Sequence, residues 1–282
     1  MDAELGRAIF YAAHRPSSGK AWGATLVWGA PGEWPEVSVG DVADLLIGHN
    51  VPEFTDAQLW AALGAAVDSA RYWQEPGPDD DLAADPAVRE ALGSIAEAVA
   101  ASPHVGWWAG GMDSASQHVV EPLDGGHPTE DFPGNAQQIL NSWRRDELEL
   151  SRSEVPDDFS ENRTGHWWSM PPNGLMRTTR SVPGWGVVGL RMVEDTPWWA
   201  RSLVRAVDVP ADPAVYEIDG PDAWAQLCRN YGTNVTASRR HDWYRATGRD
   251  QGEWVIPDWT AVARDFGAVH LSVAGYLTVA GV

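Results

Sequence analysis

AVYEIDGPDAWAQLCRNYG, residues 214–232, changes period in its middle. Its first part, Ala214 to Ile218, is a short β-like run bounded by Pro213 and Gly220. Pro221-Asp222 then opens PDAWAQLCRNY, which reads as a helix with proline where its missing donor costs nothing. A strand followed at once by a helix places the second half of the chain in a mixed class. Two further β-like runs, GWGVVGLRMV (184–193) and RSLVRAVDV (201–209), precede it. PDWTAVARDF (257–266) reads as another helix and GAVHLSVAGYLTVAG (267–281) as strand-like.

The first half reads differently. ELGRAIFYAA (4–13) is a short helix, and DAQLWAALGAAVDSARYW (56–73) a longer one with Thr55 or Asp56 as its cap. PAVREALGSIAEAVAAS (86–102) is a third, with Asp85 as N-cap and Pro86 at the first helical position. AQQILNSWRRDELEL (136–150) is a fourth. AWGATLVWG (21–29) reads as a strand, and QEPGPDDDLAADP (74–86) and GHPTEDFPGN (126–135) as connections. The polar stretch VPDDFSENRTG (155–165) lacks periodicity and reads as the boundary. The expected fold class is therefore α+β: an acidic, mainly helical domain over 1–154, packed on an α+β domain over 165–282.

Charge separates the same halves. Residues 1–150 carry 7 Lys+Arg against 24 Asp+Glu, whereas residues 151–282 carry 13 against 16, within a total of −20. A field of that sign repels nucleic-acid polymers and anionic membranes before contact. No apolar run reaches the roughly 18 to 20 residues that span a bilayer. The single cysteine, Cys228, excludes an intrachain disulfide, and the first residues lack the pattern of a secretion signal, so a cytoplasmic protein is expected.

The eight histidines are scattered, with no HxH or HxxxH pair, so no metal site is expected. Phosphate-loop, nucleophile-elbow and CxxC patterns are absent, and GWGVVG (184–189) reads as strand rather than as a dinucleotide fingerprint. Chemistry then concentrates in TASRRHDWYRATGR (236–249). Arg239, Arg240 and Arg245 offer forked donors to phosphate or carboxylate oxygens. Trp243 and Tyr244 offer aromatic faces, and His241 and Tyr244 are the candidates for proton transfer. The alternative is a surface turn whose arginines pair with the acidic first half. LMRTTRS (175–181) adds Arg177 and Arg180, flanking two threonine hydroxyls. Three Trp-Trp pairs, 107–108, 167–168 and 198–199, either fill the core or line a pocket.

Residues 235–281 resemble segments of uncharacterised actinobacterial proteins. The order RAVDVPADPAVYEIDGPDAWAQL (205–227), a basic stretch, then DWTAVARDFGAVHLS (258–272) resembles ADP-ribosyltransferase-like domains. That resemblance, confined to 165–282, implies an NAD cleft and transferase chemistry. It departs from the family where the terminal strand carries His270 and Ser272 in place of an acid. The expectation is an enzyme or ligand-binding protein that holds a nucleotide-like or other small anionic metabolite. The rival is a non-catalytic immunity or adaptor protein that grips a basic protein partner through the acidic half.

Overall fold

The computed structural model describes residues 39–47, 53–68, 70, 82–123, 135–152, 169–194, 201–210 and 212–279. The expected helix at 4–13, the strand at 21–29, the boundary at 155–165, the Trp pairs at 167–168 and 198–199, and most of the two connections lie outside them.

The helical half begins with α1 (Val39–Ile47) and α2 (Asp56–Asp68). Thr55 and Gln58 close a capping box at the start of α2: the Thr55 N–H donates to Gln58 Oε1 at 2.9 Å, and the Gln58 N–H donates to Thr55 Oγ1 at 3.3 Å. Next come α3 (Pro86–Ala91), with the Asp85 carboxylate accepting the Ala87 N–H, and α4 (Gly93–Ala101). The single helix expected over 86–102 is thus two, broken at the Leu92-Gly93 step. Leu59, Val88, Leu92 and Ile95 form the core of this half. A 3-10 turn, Pro103–Ala109, then carries the chain to β1 (Gln117–Pro122).

β1 pairs antiparallel with β2 (Thr179–Val182) on one side and β4 (Ser202–Ala206) on the other. β3 (Gly186–Val187) completes the order β3-β2-β1-β4. β1 belongs to the first half of the sequence and its neighbours to the second, so this sheet spans the expected 1–154/165–282 division. The run 184–193 yields only the two residues of β3. Gly184 and Gly186 take positive φ of 81° and 86°, and Val188–Leu190 turns into 3-10 geometry.

A second unit is built on β5 (Val215–Ile218), parallel to β8 (Ala268–Leu271) with Glu217 level with His270. The crossover holds α6 (Pro221–Tyr231), β6 (Gly232–Asn234), α7 (Thr236–Thr247), β7 (Val255–Pro257) and α8 (Trp259–Asp265). β6 and β7 pair antiparallel. α5 (Ala136–Arg152) packs on α7 and α8 from the first half, and Leu140, Ile218, Leu227, Trp259 and Val262 share one core. The sequence end expected as strand-like is strand only to Leu271. It then turns into α9 (Val273–Val279). Ser272 causes the change, because its Oγ accepts the Gly275 N–H at 2.9 Å and starts the helix. A Cβ on Gly275 would collide with the Ile218 carbonyl oxygen, so α9 can lie this close to β5 only with glycine there. The described residues therefore form a mixed α+β fold with a four-stranded antiparallel sheet and two smaller sheets.

Candidate functional site

The basic stretch 236–249 is a helix, α7, that stops at Gly248 in the left-handed region (φ 70°). Ser238, Arg239, His241 and Asp242 fall on adjoining positions of its face, and all four are buried. The Arg239 guanidinium donates to Glu147 of α5 in an ion pair shielded from water. An arginine of the basic stretch thus pairs with a carboxylate of the acidic half. His241 is 1% exposed, whereas Tyr244 is 37% exposed and Arg245 is also at the surface. Arg240 is half-buried. Trp243 stacks on Trp254, centroids 4.6 Å apart and planes 13° from parallel. α7 therefore divides the expected site residues between interior and surface. Arg177 donates to Asn173 Oδ1 at 2.7 Å and to the Pro171 carbonyl, which ties its own loop together.

Arg180 stands apart from these. It lies on β2 opposite Gln117, and its guanidinium carbon is 6.0 Å from the ring centre of Trp107. Trp107 continues through Trp60 (5.7 Å) to Trp185, which stacks on Trp60 at 5.4 Å. Trp107 and Trp108 meet edge to face within the 3-10 turn, not on a strand. Among the described residues, the nearest carboxylate to Arg180 is Asp113, with Nη2 to Oδ2 at 3.6 Å, beyond hydrogen-bond distance. Asp113 is occupied elsewhere: it accepts the Ser116 hydroxyl at 2.7 Å and the Ala115 N–H at 3.1 Å. The Ser116 hydroxyl is the chief cause that holds the Asp113 carboxyl below its usual range, against burial and with help from Ala115 and Arg180. Among the described residues, Arg180 Nε is buried without a hydrogen-bond acceptor. Gln117, itself buried, fixes the surroundings by accepting from Thr178 at 2.6 Å and donating to the Asp113 carbonyl at 2.7 Å.

Sequence reading missed a second pair. Glu217 and His270 sit side by side on β5 and β8, and His270 Nδ1–H donates to Glu217 Oε2 at 2.5 Å. The other oxygen, Oε1, accepts the Met112 N–H at 2.9 Å. The signal was present: in VYEI and AVHL, Glu217 and His270 are the charged or polar members of otherwise apolar strands. Only the parallel register shows that they face each other. Gly110 and Gly111 join this pair to Arg180. A Cβ on Gly110 would lie 3.5 Å from Arg180 Nη1, and one on Gly111 would lie 3.0 Å from Glu217 Oε1. The Glu217 carboxylate approaches Gly111 more closely than a Cβ would ordinarily allow, whereas the Arg180 distance at Gly110 is ordinary packing.

Gln251-Gly252-Glu253 follows the end of α7. It occupies an exposed bend ahead of β7. Among the described residues, no three His, Cys, Asp or Glu side chains are placed to hold a metal ion, and no helix is long and apolar enough to cross a membrane. Comparison with protein-family models, curated proteins and solved structures finds no match to this chain.

Proposed function

We propose that this chain binds a small anionic metabolite, through a carboxylate or phosphate group, at Arg180. The observation that carries the reading is the state of that guanidinium among the described residues: supported by the Trp107 ring, 3.6 Å from its nearest carboxylate, with its Nε buried and lacking an acceptor. A guanidinium carries five N–H donors in a fixed fork, and a buried donor without a partner costs about 1–3 kcal/mol. An anion that accepts from Nε and Nη would remove that cost. The side chain is 24% exposed although Nε itself is shut off from solvent, so an anion meets the exposed part of the side chain first and must shift its neighbours to accept from Nε–H. A nucleotide, NAD included, meets the same requirement through its phosphates.

Thermal stability against inorganic phosphate, small carboxylates, nucleoside phosphates and NAD tests the proposal, with wild type beside Arg180→Gln. A ligand at about 100 times its dissociation constant stabilises the fold by about 2.7 kcal/mol. The expected result is a shift in wild type that the variant loses, with Arg240→Ala shifting as wild type does. A shift lost instead in Arg240→Ala and kept in Arg180→Gln moves the site to α7 and overturns the proposal.

A further inference from the structure

We infer that Gly110–Met112 forms a strap over Arg180 and that Glu217 is the latch that holds it shut, so that an anion reaches the Arg180 Nε–H only after the Met112 N–H has left Glu217. The inference rests on the anion site at Arg180 for its ligand and on other residues for the control of access. The guanidinium meets one stretch of chain in three places. The Trp107 ring centre lies 6.0 Å from its carbon, Asp113 Oδ2 lies 3.6 Å from Nη2, and a Cβ on Gly110 would lie 3.5 Å from Nη1. Residues 107–113 thus cover a side chain whose Nε is shut off from solvent.

The ends of this cover are held differently from its middle. Trp107 is packed against Trp60, with ring centres 5.7 Å apart, and its carbonyl accepts the Gly110 N–H at 3.2 Å. Asp113 is fixed through its carboxylate by Ser116 and Ala115, and through its carbonyl by Gln117. Between these anchors the backbone is extended, at Gly110 (φ −69°, ψ 142°) and again at Asp113 (φ −89°, ψ 94°). Successive residues of an extended chain face opposite ways. Gly110 therefore faces Arg180 of β2, and Gly111 faces Glu217 of β5, where a Cβ would stand 3.0 Å from Oε1. The strap fills the junction between the four-stranded sheet and the β5–β8 pair.

Among the described residues, the hydrogen bond that ties the strap to β5 is the Met112 N–H donating to Glu217 Oε1 at 2.9 Å. His270 Nδ1–H donates to the other oxygen at 2.5 Å and keeps the carboxylate in position. The Glu217 side chain is 41% exposed, so water replaces the Met112 donor when the strap lifts, and opening costs little. Two glycines beside the latch supply the backbone freedom for that movement. Apparent affinity for the anion is reduced by the fraction of molecules that are closed, so loosening the latch raises it. Glu217 is in this sense a positioning residue for Arg180.

Calorimetric titration with inorganic phosphate and with succinate, alongside hydrogen exchange at the Met112 amide, tests the latch in the full chain and in Glu217→Ala, Glu217→Gln and Arg180→Gln. Glu217→Ala is expected to bind the anion about 2- to 10-fold more tightly than wild type, the range for loss of one modest hydrogen bond. Glu217→Gln keeps an oxygen for the Met112 N–H and should return the affinity to within about twofold of wild type. In wild type, saturating anion should speed Met112 exchange about 10-fold or more, because the bound state has the strap lifted. Arg180→Gln should show neither binding nor that response. Circular dichroism confirms that each variant folds, and the Met112 measurement on wild type decides the matter without any substitution.

Equal tightening in Glu217→Ala and Glu217→Gln would assign the effect to the lost charge and overturn the latch. An affinity unchanged in Glu217→Ala, or a Met112 amide that exchanges no faster with anion bound, overturns it as well. In each of these cases, binding that is lost in Arg180→Gln leaves the anion site standing. Absence of binding by both wild type and Glu217→Ala removes the site and the strap together.

Discussion

Arg239 and Arg180 are the same residue type in opposite situations. Arg239 is enclosed with Glu147 between α5 and α7, and removing one member of such a pair leaves a buried charge uncompensated. Arg239→Ala should therefore lower unfolding free energy by about 3–5 kcal/mol in chemical denaturation. A loss under 1 kcal/mol would contradict a structural role. Gly111 makes a different residue-scale prediction: a Cβ there would lie 3.0 Å from Glu217 Oε1, so Gly111→Ala should shift the carboxylate by a few tenths of an ångström and perturb the His270 ring signals in a 1H–15N correlation, while the anion-induced thermal shift persists. Glu194 supplies a pH test. Burial raises its carboxyl above the usual value, against the hydrogen bond it accepts from Tyr276. A carboxyl whose folded value is raised binds more protons in the native state, so its contribution to stability declines as pH rises above 4.5. Glu194→Gln keeps an acceptor for Tyr276 and should be more stable than wild type at pH 7, with the difference vanishing near pH 4. Equal stability at both pH values would remove the linkage.

At the scale of elements, α8 shows how one side chain joins units distant in sequence. Asp258 accepts the N–H groups of Thr260 and Ala261 at the helix start and pairs with Arg144 of α5. Burial works against its charge, yet the Thr260 and Arg144 hydrogen bonds hold its carboxyl below the usual 3.8. A depressed value means that this contribution is present above the unfolded value and is lost as pH falls through the folded one. Asp258→Ala should cost about 1–2 kcal/mol at pH 7, the range for a lost N-cap, and the deficit should shrink below pH 4. Caps of this kind were legible in the sequence. Asp85 and Pro86 begin α3 where their order indicates, and Pro221 begins α6 at the expected residue. The end of the chain was not legible, because Val273, Tyr276 and Val279 suit a strand as well as a helix. The choice follows from the Ser272 cap and the close approach of Gly275 to β5, both tertiary facts. The basic stretch was legible only in part. Its residue types suit an anion or an ion pair with the acidic half, and helical periodicity turns Arg239 and His241 inward.

Across the whole molecule, the mixed α+β class was readable from the alternation of helical and β-like runs. The pairing was not. β1 joins the four-stranded sheet through partners about 60 to 90 residues later in sequence, and only the folded register reveals it. The same limit hid the junction itself. Trp107, Asp113, Arg180, Glu217 and His270 come from the 3-10 turn, the segment after it, β2, β5 and β8, and no local motif contains two of the last three. Charge gives a molecule-scale prediction: an anion held by one guanidinium in a chain of net −20 should bind more tightly when salt screens the surrounding field, until the added anion competes. Phosphate affinity that rises between 10 and 100 mM of a weakly competing salt fits this account.

The most direct measurement is a 1H–15N correlation of the arginine Nε–H groups, with the Arg180 resonance assigned by its loss in Arg180→Gln and phosphate, succinate or NAD added stepwise. The account predicts that the Arg180 signal moves saturably with at least one of these anions while that of Arg239 stays fixed in its ion pair with Glu147. An unmoved Arg180 signal beside shifting Arg240 or Arg245 signals would contradict it and return the ligand to α7.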